Sequence, residues 1–231
     1  MAVVLLTEGE LAVALTFTAT ARGLGVVSAV GTVLISAVYV PTLIFGFLSL
    51  RSPLEPIGDP WFAVLEILII LSMPMMVALM VAVHAWAPAE AKVFSLVALV
   101  FMSLMAGLTC GVHFVLLAVG RLPAFSGLPG MALLLSFNWP SIPYALDILA
   151  WDVFFPASVL FAAPVFRGQR LATSIRLLLV ASGVLALAGL SGVFIGDMQL
   201  RNIGIAGYAG VFPVAAVLMA VLFRRTRPEA L

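Results

Sequence analysis

Charge is what this chain has least of. Only 9% of its 231 residues are charged, ten acidic and eleven basic, for a net charge of +1. So sparse and balanced a set gives no basic footprint for nucleic acid, and no partner of that kind is expected. Cysteine is nearly absent too. Cys110 stands alone, so no internal disulfide can form and redox compartment cannot be read from cysteine usage. No Ser/Gly-rich linker and no long charged tail separates one part of the chain from another, so residues 1–231 read as a single integral membrane domain. Also missing are a Gly-x-Ser-x-Gly elbow, a phosphate loop, a His-Glu-x-x-His pair and a dinucleotide fingerprint. No cofactor is expected.

What fills the chain instead is apolar: 64% of residues are hydrophobic and the mean hydropathy is +1.26, far from the balance of a soluble domain. The long apolar blocks mostly exceed the roughly 20 residues that cross a hydrocarbon core as helix, and they lack the alternation of a membrane barrel. The expected fold is all-α, a polytopic transmembrane helix bundle with spans near 24–50, 61–84, 93–120, 144–166, 175–195 and 203–223. Residues 121–143, punctuated by Pro and Gly, read as an outer loop or re-entrant segment. Eight of the eleven basic residues, Arg22, Lys92, Arg167, Arg170, Arg176, Arg224, Arg225 and Arg227, fall on one side of this arrangement; Arg51, Arg121 and Arg201 fall on the other. Cytoplasmic loops are enriched in Lys and Arg, so both termini are expected in the cytoplasm and 121–143 outside. An integral protein of a bacterial-type cytoplasmic (inner) membrane is the expected location.

Residues 1–23 are long enough to cross but carry Glu8 and Glu10 near their middle, which is costly in lipid. An interfacial helix is expected there, with a seventh span as the alternative. Gly107 and Gly111, and Ala188, Gly192 and Gly196, have the small-xxx-small spacing that lets helices approach closely. Packing within the chain is the expected use, with a dimer interface as the alternative. The methionines at 73–80 and 102–105 read as adaptable packing.

The topology turns scattered polar residues into a geometry. Counted from the outer ends at 1.5 Å per residue, Glu66 lies about 7 Å deep, His113 about 10 Å, Asp147 about 5 Å and Asp152 about 12 Å. Glu66, His113 and Asp152 therefore come from three helices to similar depth and are the candidate catalytic residues. Asp147 reads as an entry-level residue, solvated or capping its helix. Five residues separate it from Asp152, about 140° around an α-helix, so the two are not expected to pair. Pro156 cannot donate to the carbonyl of Asp152, four residues earlier. Asp147, Trp151, Asn138, Trp139 and Tyr144 are the candidate substrate-binding residues; Trp61, Trp139 and Tyr144 also fit an aromatic belt. Asp197 and Arg201 read as an interfacial ion pair of little consequence. Cys110 and His113 lie one turn apart, but one Cys and one His do not make a recognisable zinc site, and no metal is expected.

Three functions follow. The first is a membrane enzyme doing acid/base chemistry on a lipid-like or isoprenoid-like substrate, Glu66 or Asp152 exchanging the proton with His113 as partner. The second is a proton-coupled small-molecule transporter, for which intramembrane acids and Pro-broken helices are equally apt. The third is a non-catalytic sensor or accessory subunit whose polar residues join helices. The expected partners are the bilayer and a hydrophobic small-molecule ligand.

Overall fold

A computed structural model describes residues 17–52, 55–125 and 128–226. The reading of residues 1–23 as interfacial helix or extra span lies outside them for residues 1–16, whereas residues 19–23 open the first long helix. The described residues form helices and no strand. Six helices are long and apolar enough to cross a membrane: α1 (Ala19–Leu48), α2 (Trp61–Trp86), α3 (Ala89–Ala118), α4 (Ile142–Val165), α5 (Arg170–Ile195) and α6 (Met198–Arg225). The multi-pass helical bundle is thus as expected, with boundaries shifted by a few residues.

Local chemistry sets the helix ends. Thr18 caps α1, its Oγ1 accepting from the Ala21 N–H at 3.2 Å, and Ser141 does the same for α4 through the Tyr144 N–H. At the end of α2 the Lys92 ammonium donates to the carbonyls of His84 and Ala85, at 2.5 and 3.2 Å, placing a cation where the helix leaves unpaired acceptors. The described residues between 119 and 141 form no helix long enough to cross a membrane. They hold the short turns Pro123–Phe125 and Met131–Leu135, and Phe137 from this segment packs on the rings of His113 and Tyr144.

Each helix packs against its neighbours in sequence and α6 returns to α1, closing a ring. α4 is the innermost: 61% of its most apolar stretch is buried, against 22–39% in the others. One end of the ring is filled by an apolar core that includes Met80, Met102, Met105, Phe155, Phe166, Phe212 and Phe223, with Phe17 on Phe223 and Trp86 on Phe166 at ring separations of 5.5 and 5.4 Å. The other end is open.

Glycines govern one contact that matters for the site. A Cβ on Gly189 would lie 3.2 Å from the backbone of Gly204, and one on Gly207 would lie 2.7 Å from the Ser182 carbonyl. Their absence lets α5 and α6 touch along the backbone, where Ser182 Oγ donates to the Gly207 carbonyl at 2.9 Å. Gly192 serves the same contact, meeting the 197–201 turn. Gly107 and Gly111 differ from expectation: a Cβ on either meets nothing within 4 Å. Both lie on the exposed outer face of α3, so they are not used for packing among the described residues.

Candidate functional site

Two helices of the ring contain a widened turn. In α4, residues Leu149–Phe154 are π-helical and the Phe155 N–H donates to the Ala150 carbonyl, five residues back. In α6, residues Ala206–Val211 are π-helical and the Phe212 N–H donates to the Gly207 carbonyl, again five back. Each segment ends immediately before a Phe-Pro pair, Phe155-Pro156 and Phe212-Pro213. Proline neither donates to nor tolerates the carbonyl four residues earlier, and a single π turn is a recognised way for a helix to absorb such a break.

The α4 turn overturns the expected separation of the two aspartates. With bonds running from residue i to i+5, residues five apart stack on one face rather than standing 140° apart. Asp147 and Asp152 accordingly both reach Arg201: its Nη2 donates to Asp147 Oδ2 at 2.6 Å, and its Nε to Asp152 Oδ2 at 2.8 Å. Arg201 is therefore no interfacial partner of Asp197, whose side chain instead accepts from the Gln199 N–H. Nor is Asp147 a solvated capping residue; Ser141 caps α4 and Asp147 is 5% exposed.

The network continues through α3 and α2. His113 Nε2 lies 3.2 Å from Asp147 Oδ1, and its Nδ1 lies 2.8 Å from Glu66 Oε2. Glu66, His113, Asp147, Arg201 and Asp152 form one chain of contacts from α2 to α6, all at most 5% exposed. Asp152 meets Glu66 and His113 only through Arg201 and Asp147. Its second oxygen, Oδ1, is buried without a hydrogen-bond partner and sits against the backbone of α5 and α6, where a Cβ on Gly204 would come within 2.8 Å and one on Gly189 within 3.3 Å.

Beside this chain lies a cavity of about 730 Å³, running from the open end between α1, α2, α4 and α6 down to Thr32, Met76 and Phe212. Glu66, Asp147 and Arg201 face it, as do Asn138, Trp139, Tyr144 and Trp151. His113 and Asp152 do not line it; they stand behind the residues that do. Tyr39 and Tyr208 also line the cavity but were not among the sequence candidates, because a tyrosine in an apolar helix carries no signal separable from core packing. Trp151 packs on Tyr208 at 4.8 Å between ring centroids, and the Arg201 guanidinium lies 4.7 Å above the ring of Tyr144. Trp61 stays at the rim, stacked on Phe45.

Among the described residues no group of three or more His, Cys, Asp and Glu side chains has the geometry to hold a metal ion, and both ring nitrogens of His113 are taken up by carboxylates. Fold and site together define a multi-pass helical membrane protein with a buried ionic chain along one large cavity. Comparison with protein-family models, curated proteins and solved structures finds no match to this chain.

Proposed function

We propose that this protein is a membrane enzyme in which Glu66, His113 and Asp147 exchange a proton with a lipid-like substrate held in the cavity. The geometry of His113 carries the reading. A neutral imidazole offers one N–H and one lone pair, yet both its nitrogens stand within hydrogen-bonding distance of carboxylate oxygens. Both contacts are satisfied when one further proton is shared among the three groups, on the imidazole or on either acid. The carboxyl groups at the two ends of this relay both face the cavity, so a proton delivered by one is replaced through His113 from the other.

Arg201 and Asp152 hold Asp147 in place and act as positioning residues. The distribution of basic residues supports a cavity open to the outer side of a bacterial-type cytoplasmic membrane, with both termini inside. Incubation of the purified protein with membrane lipid extract in deuterated water tests the reading, since proton delivery to carbon leaves deuterium in the product. Label is expected with the native chain and not with Glu66→Gln. A native chain that leaves the lipids unlabelled and chemically unchanged would overturn it.

A second reading, a proton-coupled carrier, draws on one observation: the two π-helical turns break α4 and α6 beside the cavity, where a transporter's helices would flex. Proteoliposomes with an imposed pH gradient separate the two. Gradient-driven uptake across a panel of amphiphiles favours the carrier, and its absence alongside deuterium labelling favours the enzyme.

A further inference from the structure

We infer that the cavity accepts an amphiphile with a positively charged, ammonium-type head, seated between Glu66 and the aromatic wall, with its apolar tail directed toward Met76. This deepens the proposed function and rests on the cavity being a ligand site.

The buried chain carries a charge that the cavity does not balance. Arg201 is the only Lys, Arg or His among the described residues lining the cavity, and its charge is committed to two carboxylates, Nε on Asp152 and Nη2 on Asp147, with its face on Tyr144. Three carboxylates set against one guanidinium and one shared proton leave the buried chain one negative charge in excess. An unpaired charge in a poorly solvated site is costly, so a cation is the ligand charge that relieves it.

Glu66 also keeps an unfilled acceptor. Glu66 is 98% buried by its 2% exposure and lines the cavity. Its Oε2 is taken by His113, while Oε1 has no hydrogen-bond partner among the described residues.

The wall beside Glu66 is aromatic. Tyr39, Trp151 and Tyr208 line the cavity around the level of Glu66 and Asp147. Ring faces attract a desolvated cation and do nothing comparable for a neutral or anionic head. Farther in, the lining turns to Leu68, Ile69, Met76 and Phe212. Met76 lies ten residues beyond Glu66 along α2, about 15 Å at helical rise, which is room for an alkyl chain.

The test compares three probes with one tail: decyltrimethylammonium, decyldimethylphosphine oxide and decyl sulfate. Each is titrated into the full chain in maltoside micelles, with Trp61, Trp86 and Trp139 changed to Phe so that fluorescence reports Trp151. The cation is expected to bind about tenfold or more tighter than the neutral probe, and the sulfate not to compete with it. Glu66→Gln should lower affinity for the cation about tenfold and spare the neutral probe. Tyr39→Leu, which alters no member of the ionic chain, should lower cation affinity about threefold or more. Equal binding of cation and neutral probe, or tighter binding of the sulfate, overturns the inference. So does a cation preference that survives both variants. If charge preference is absent while deuterium labelling persists, the enzyme reading stands and only the ligand class falls. If no probe binds and no lipid is labelled, both fall.

Discussion

Replacing Arg201 by Met removes the one guanidinium on which Asp147 and Asp152 converge. At separations of 2.6 and 2.8 Å, each contact carries about 6 kcal/mol of Coulomb attraction at an effective dielectric of 20, before desolvation is charged against it. Removal of one partner from a buried pair costs about 3–5 kcal/mol, because the remaining charges stay buried. The expected loss for Arg201→Met is in that range, measured by reversible unfolding in mixed micelles titrated with dodecyl sulfate. Adding Asp152→Asn removes one orphaned charge, and the double variant should be about 1–3 kcal/mol more stable than the sum of the single losses implies. Asp197→Asn serves as the contrast and should cost less than about 1 kcal/mol, as for an exposed polar group. An Arg201→Met cost below about 1 kcal/mol, or Arg201 and Asp152 losses that add within about 0.5 kcal/mol, would mean that the guanidinium does not hold the two carboxylates together.

The remaining expectations concern packing. Gly204→Ala places a methyl carbon 2.8 Å from Asp152 Oδ1 and should cost about 1–3 kcal/mol by overpacking, whereas Gly107→Ala and Gly111→Ala, which meet nothing, should be neutral or stabilise by up to about 1 kcal/mol each; the same micellar unfolding assay reads all three. Ser182→Ala deletes the bond from α5 to the Gly207 carbonyl and should lower stability by about 0.6 kcal/mol, the mean for hydrogen bonds between membrane helices; a loss above 2 kcal/mol would mean that the α5 and α6 contact depends on it. Lys92→Met uncovers the last carbonyls of α2 and should cost about 0.3–1 kcal/mol, with faster amide exchange confined to residues 84–87 as the local readout.

How much of this was legible in the sequence depends on what kind of signal each feature leaves. Apolar length is additive along the chain, so the six helices could be found by counting. Glu66 and Asp152 stood out because a lone carboxylate in an apolar helix has few neutral explanations, and both were placed in an ionic chain by the structure. Arg201 was undervalued because Asp197, four residues earlier, offered a local partner that satisfied helical spacing. The true partners come from α4, 49 and 54 residues away, and no periodicity encodes such a pairing. Gly107 and Gly111 failed in the opposite sense: the spacing is present, but which face a helix turns inward is decided by all its neighbours together.

The misplacement of Asp147 has a different cause, and it concerns the geometry assumed rather than the residue. A fixed 3.6 residues per turn sent Asp147 and Asp152 to different faces, yet the sequence contains a reason to abandon that number locally. Pro156 breaks the ladder four residues after Asp152, and a helix that must continue through such a break can widen by one residue. α6 makes the same adjustment before Pro213. The two widened turns run in parallel helices, and their side chains meet in register: Trp151 on Tyr208, and Phe155 on Phe212 at 5.3 Å. The aromatic contact and the ionic one thus have a common origin. Each Phe-Pro pair follows a widened turn that re-aims the residues before it toward the neighbouring helix. In α4 this brings two carboxylates onto one face, where a single arginine from α6 can hold both. A proline shortly after an intramembrane acid is therefore a reason to test i+5 pairing alongside i+3 and i+4.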